Sequence, residues 1–105
     1  MTIEFLQSGG VTSPKAFVAG AVYAGVKTYG DGQLDLGVLM SDSPCTTVGV
    51  YTLNEIKSAS VVLTKTRVEA NRVRAIVVSS GIANSVVEAG EKDAIDLTNL
   101  AATHV

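Results

Sequence analysis

With 105 residues and a formal net charge of -2, the chain has room for one domain at most. It is 47% hydrophobic, 17% charged and 5% aromatic with no Trp, so any core must be built from Val, Ala, Leu and Ile. Nucleic-acid binding finds no support, because there is no basic stripe and no aromatic platform. A membrane span finds none either, because the apolar runs fall well short of ~20 residues.

In chain order, 8–14 (Ser-Gly-Gly-Val-Thr-Ser-Pro) reads as a loop. Ala16 to Lys27 reads as extended, since Phe17, Val18, Val22, Tyr23 and Val26 favour a strand and Gly20 and Gly25 oppose a helix. Tyr29-Gly30-Asp31-Gly32 is a hairpin-turn signal, because Asp-Gly readily adopts positive φ. Leu34, Leu36, Val38 and Met40 alternate with Asp35, Gly37 and Leu39, the pattern of a strand buried mostly on one face. Ser41-Asp42-Ser43-Pro44 ends it, since proline cannot continue a ladder.

Cys45 to Thr52 alternates hydroxyl and apolar residues and reads as a further strand. Ser60 to Thr64 reads as another, after a turn over Asn54 to Lys57. Arg67, Arg72 and Arg74, with Glu69 among them, read as a solvated turn between two strands. Val73 to Val78 is a nearly continuous apolar run, expected to be covered on both faces. From Glu88 to Thr103 the period changes: Ala94, Leu97, Ala101 and Val105 fall on one helical stripe. Acidic residues early and His104 late suit the helix dipole. No Gly or Pro follows His104, so the helix is expected to run to the end of the chain.

The fold expected is therefore α/β: a mixed, mostly antiparallel sheet with a C-terminal helix on one face. The high apolarity leaves two readings open, a surface that meets another chain or domain and an ordinary Val-rich sheet core. Cys45 alone cannot form an intrachain disulfide, and Met1 to Phe5 is not a signal peptide. The cytoplasm is the default location.

Catalytic candidates are few. His104 has Leu100 and Ala101 at helical spacing, which offer no metal ligand. Cys45 has no activating base in sequence and reads as a buried, inert thiol. Ser8-Gly9-Gly10 has neither dinucleotide nor P-loop spacing. The site candidate is Ser80-Gly81-Ile82-Ala83-Asn84 at the end of a buried strand. There Gly81 can adopt a left-handed conformation that aims backbone amides at an anion, and Asn84 offers a donor and an acceptor. The plainer reading is a strand-to-helix turn with Asn84 as the helix cap.

Four ordered blocks resemble the N-terminal part of the ornithine acetyltransferase (glutamate N-acetyltransferase) family of arginine biosynthesis. They are Gly9 to Phe17, Leu36 to Asn54, Lys57 to Val61 and Ser79 to Ser85. The chain departs from the family pattern at Ser79 and Ile82, where the family has Asn, and at Ala16, where it has Gly. Val86-Val87-Glu88 stands where Cys-Thr-Gly follows the Asn motif.

The resemblance implies a self-processing precursor whose two chains stay together. A Thr nucleophile moves an acetyl group from N-acetylornithine to glutamate, and a Thr-Gly pair forms the oxyanion hole. It makes residues 1–105 a single, incomplete N-terminal segment of a four-layer α/β/β/α assembly. The nucleophile and the Thr-Gly pair are expected beyond Val105. No catalytic residue carries over, and Gly81 and Asn84 are the supporting candidates. The expected partners are the rest of the precursor, or a second processed chain, and amino-acid substrates. No cofactor, metal, nucleic acid or membrane is implied. Two other readings stay open: a non-catalytic scaffold or metabolite-binding homologue, and a related acyltransferase or aminopeptidase with another substrate.

Overall fold

The computed structural model describes residues 1–26 and 32–105, so residues 29–31 of the expected hairpin turn lie outside the described part. Five elements follow one another: β1 (Phe17–Val22), β2 (Leu36–Ser41), α1 (Ala59–Glu69), β3 (Ala75–Ser79) and α2 (Gly90–Ala102). The strands form one sheet in the order β1-β2-β3. Both pairings are antiparallel, with Val22 opposite Leu36 and Leu36 opposite Ser79. The sheet is thus purely antiparallel, and two helices pack against each other beside it rather than one.

The segment expected as a strand at Ser60 to Thr64 is part of α1. Val61, Val62 and Thr64 are β-branched and favour strands locally, but the ends of the segment specify a helix. Ser58 is an extended N-cap whose hydroxyl accepts from the Val61 amide at 3.4 Å. At the other end Asn71 turns left-handed at φ 51°. The Arg72 amide then donates to the Arg67 carbonyl and the Asn71 amide to Val68, the paired bonds of a Schellman stop. The arginine cluster is therefore not a turn between strands. Arg67 closes α1, and Arg72 and Arg74 lead from it into β3.

α2 keeps its expected stripe, with Ala94 buried and Leu97 and Ala101 half-buried, although Val105 is exposed. It does not run to the chain end. The Thr103 amide donates to Asn99 and Leu100, and the helix closes at Ala102.

The sheet has one covered face and one open face. Along β3, Ala75 and Val77 are half-buried, whereas Ile76 and Val78 are 54% and 53% exposed. Leu63 of α1 and Leu97 of α2 share a cavity with Val77, which puts the helices over that face. The expectation that the β3 run is covered on both faces is thus corrected: among the described residues, nothing closes over Ile76 and Val78. By register, Leu39 and Ala19 share their face.

Cys45 to Thr52 is not a ladder strand either. Pro44 takes the chain off the end of β2, and the segment continues without secondary structure. Cys45 is exposed there rather than buried, its thiol donating to the Val73 carbonyl at 3.7 Å.

The result is a thin core. Among the described residues the only buried hydrophobic side chain is Ala94, at 8% exposure. The chain exposes 8411 Å², against about 5,500 Å² expected for a folded monomer of this mass. Its radius of gyration is 15.6 Å, against about 13 Å for a compact chain of this length. An ordinary closed sheet core is therefore ruled out, and much apolar surface stays on the outside.

Ala16, where the family pattern has Gly, sits at φ 69°, a conformation that costs an L-residue about 1–2 kcal/mol. Its carbonyl accepts from the Asp42 amide at 2.8 Å, which holds it in place. Ala16→Gly should stabilise the chain by about 1 kcal/mol, read as a higher urea midpoint at unchanged slope.

Candidate functional site

Three chain segments meet at one end of the sheet: the exit of β1, the entry of β2 and the exit of β3. Asp35 joins them. It is 1% exposed and is the largest fully buried side chain among the described residues. Its carboxylate accepts from the Ala24 amide at 2.5 Å and the Val26 amide at 2.7 Å. Its own amide donates to Val22, and its carbonyl accepts from Ser80 at 2.8 Å. A buried carboxylate is costly unless hydrogen-bonded, and backbone amides held by flanking structure are suitable partners.

Ser80 opens the turn picked out in the sequence. Gly81 takes φ 100°, a conformation that favours glycine. The chain then runs along a cavity of about 590 Å³ between α1, α2 and β3. Ser79, Asn84 and Asp93 supply polar groups to a wall otherwise made mostly of aliphatic side chains such as Val77 and Leu97. Ile82 also lines this cavity. Among the described residues no Lys, Arg or His lines it, and the polar groups there are amide, carboxylate and hydroxyl.

Asn84 is not the cap of α2. The capping residue is Ala89, which makes no side-chain cap bond. The Asn84 amide group instead donates to the Gly90 carbonyl at 2.8 Å, tying the turn to the first residue of the helix. Its Oδ1 is buried without a hydrogen-bond partner among the described residues. A Cβ on Gly90 would lie 2.6 Å from that oxygen and 3.1 Å from Val87 Cγ2, so the tether needs glycine there. Between tether and helix, Val86 sits at φ 55°, an outlier for a β-branched residue.

The structure thus brings Gly81 and Asn84 together on one turn and leaves the other candidates apart from it. His104 is exposed past the end of α2, with Nδ1 2.9 Å from both the Leu100 carbonyl and Thr103 Oγ1. That is a helix-end contact. Cys45 belongs to the opposite end of β2. Among the described residues no group of three or more His, Cys, Asp or Glu could hold a metal, and no helix is long and apolar enough to cross a membrane. Sequence reasoning missed Asp35. Its one signal was a charge at the start of an apolar alternation, between Leu34 and Leu36.

Comparison with known proteins adds the decisive observation. Residues 18–105 match the model of the ArgJ family. The chain belongs to the ArgJ family. It is 42% identical over 102 residues to the arginine biosynthesis bifunctional protein ArgJ of Dehalococcoides mccartyi, covering 96% of this chain and 25% of that protein. It is 45% identical over 96 residues to ArgJ of Symbiobacterium thermophilum, covering 90% and 24%. The chain thus spans about a quarter of the length of these relatives.

Two solved structures share its fold. ArgJ of Bacillus halodurans matches with a TM-score of 0.83 at 33% identity, over 93% of this chain and 51% of that one. Ornithine acetyltransferase of Mycobacterium tuberculosis, solved with ornithine, matches at 0.74 and 37% identity, over 85% and 46%. ArgJ homology therefore stands for the α/β piece formed by this sheet and these two helices.

Two substitutions test the site's frame. Asp35→Asn keeps the shape but turns an NH2 donor toward one of two backbone donors, and should cost about 2–4 kcal/mol in a urea titration. Gly90→Ala gains about 1 kcal/mol of helix propensity and loses about 1–3 to the contact with Asn84. It should be destabilising alone and neutral or stabilising with Asn84→Ala, a coupling that a double-mutant cycle reads directly.

Proposed function

We propose that this chain is the N-terminal, alpha-chain-like part of a self-processing Thr-nucleophile acetyltransferase. In this reading the enzyme moves an acetyl group from N-acetylornithine to glutamate, and the nucleophile and oxyanion hole come from polypeptide beyond residues 1–105. The observation that carries it is the ArgJ match, which extends over nearly all of this chain and only a quarter of its relatives. The open sheet face supports it as well. Ile76, Val78 and Leu39 are an apolar surface on which a second sheet can rest, as a four-layer α/β/β/α assembly requires.

The chemistry needs an activated hydroxyl, a base and preorganised donors for the developing oxyanion. This chain would supply the frame: Asp35 fixes the strand ends, Gly81 turns the chain, and Asn84 ties the turn to α2. In this reading the protein acts in the cytoplasm on amino-acid substrates, without a cofactor.

A second reading has one observation behind it. Ser79 and Ile82, where the family pattern has Asn, both line the cavity. Losing two amide side chains changes what the wall can hydrogen-bond, which favours an acceptor other than glutamate.

Two assays test these readings. Purified residues 1–105 should show no acetyl transfer from N-acetylornithine to glutamate. A chimera in which this chain replaces the matching residues of D. mccartyi ArgJ should show it, together with a new chain beginning at Thr by intact mass. An inactive, unprocessed but folded chimera overturns the first reading. Ser79→Asn with Ile82→Asn in the chimera should shift acceptor preference toward glutamate by about tenfold or more, a loss or gain of one hydrogen bond. Unchanged preference removes the second reading.

A further inference from the structure

Among the described residues, a highly exposed apolar segment is the arm that follows β2. From Cys45 to Leu53 it reads Cys-Thr-Thr-Val-Gly-Val-Tyr-Thr-Leu, with no charged residue and six β-branched or aromatic residues, Thr46, Thr47, Val48, Val50, Tyr51 and Thr52. Thr47 and Tyr51 are half-buried, whereas Val48, Val50 and Leu53 are 87%, 99% and 98% exposed. From Thr47 to Tyr51 the half-buried residues share one parity and Val48 and Val50 the other, as on a strand; Leu53, on the parity of Thr47, breaks the alternation at the end of the arm. Yet among the described residues the arm pairs with no strand.

Such a segment is an unpaired edge. Natural edge strands are protected by charges, prolines or bulges, and this one has none between Cys45 and Leu53. Part of it nevertheless lies within the shared fold. The B. halodurans match leaves out fewer residues of this chain than the arm contains, and that solved chain is about twice as long as the part matched.

The arm also leaves on the open side of the sheet. A small cavity beside its root is lined by Phe17, Leu39, Val48 and Ile76, with Ser41 and Arg74 also on its wall, so the root of the arm adjoins the open face.

We infer that Cys45–Leu53 is a donated strand, which pairs by backbone hydrogen bonds with an open sheet edge in the ArgJ polypeptide outside residues 1–105. The partner edge is uncharged and apolar, with pockets for Val48 and Val50. Main-chain pairing gives the attachment, and the alternating valines give the register. The inference rests on the reading of this chain as part of a larger ArgJ enzyme, but goes beyond it by naming the segment that joins the parts.

The test is amide hydrogen exchange on the free 105-residue chain and on the D. mccartyi chimera. Amides 46–53 should exchange freely in the former and at least about a hundredfold more slowly in the latter, as for a paired strand. Val50→Asp should leave the circular dichroism of the free chain unchanged, since Val50 touches little there, and should lower arm protection in the chimera at least tenfold. An active chimera with an unprotected arm overturns the inference and leaves the proposed function standing. A protected arm in an inactive chimera supports the inference and overturns the function. Protection that appears in the free chain as its concentration rises assigns the arm to a second copy and overturns the inference.

Discussion

Asp35 holds three separate pieces of chain with one side chain. A carboxylate at 1% exposure needs partners, and the Ala24 and Val26 amides point at it. Those amides belong to the segment leaving β1, while the backbone of Asp35 pairs with Val22 and Ser80 on either side. The direction in which the β3 exit leaves the sheet is therefore coupled to the exit of β1. The turn at Gly81 and the tether at Asn84 inherit their positions from that clamp. Close packing is the usual way to fix such a junction. Here the apolar core is too thin to do so, and directional hydrogen bonds to a charge take its place.

The opposite end of the sheet is held in the same manner. The Ser41 hydroxyl donates to the Ser43 carbonyl, its amide donates to Arg74, and an Arg74 guanidinium nitrogen donates back to the Ser41 carbonyl. Between two polar clamps the sheet keeps its register with only one face covered. That arrangement leaves about half of Ile76 and Val78 and most of the arm valines uncovered among the described residues. Apolar surface left in water adds nothing to the stability of the isolated chain. Its hydrophobic free energy is available for association instead.

The elements legible in the sequence were those whose signal is periodic and local. α2 announced itself through Ala94, Leu97 and Ala101, and β2 through its alternation. α1 did not, because Val61, Val62 and Thr64 carry a strand preference that outweighs a weakly amphipathic pattern. The capping information sat one residue before the helix, at Ser58, and two past its end, at Asn71. The arm shows the complementary limit. Its alternation of hydroxyl and apolar residues suggested a strand, but a strand is a property of two segments, and among the described residues nothing pairs with it. At the site, the positive φ of Gly81 was legible from residue type. The role of Asn84 was not, since its partner is a carbonyl six residues on rather than the amides a cap would satisfy. Asp35 was hidden for a similar reason: nothing local says that a charge at a strand start is buried rather than solvated.

The departures from the family pattern fall unevenly on this frame. Asp35, Gly81, Asn84 and Gly90 make the bonds and close approaches that set the turn. Ser79 and Ile82 line the cavity without a part in them. Val86, in place of a residue of the Cys-Thr-Gly run, stores strain at φ 55°. The Asn84 tether on one side and the Gly90 amide bound to the Val87 carbonyl on the other hold that strain in place. Changes of this distribution fall on the cavity wall rather than on the bonds that set the turn. Under the second reading proposed above, substrate choice would be the property on which this chain differs from its relatives; the fold is the property it shares.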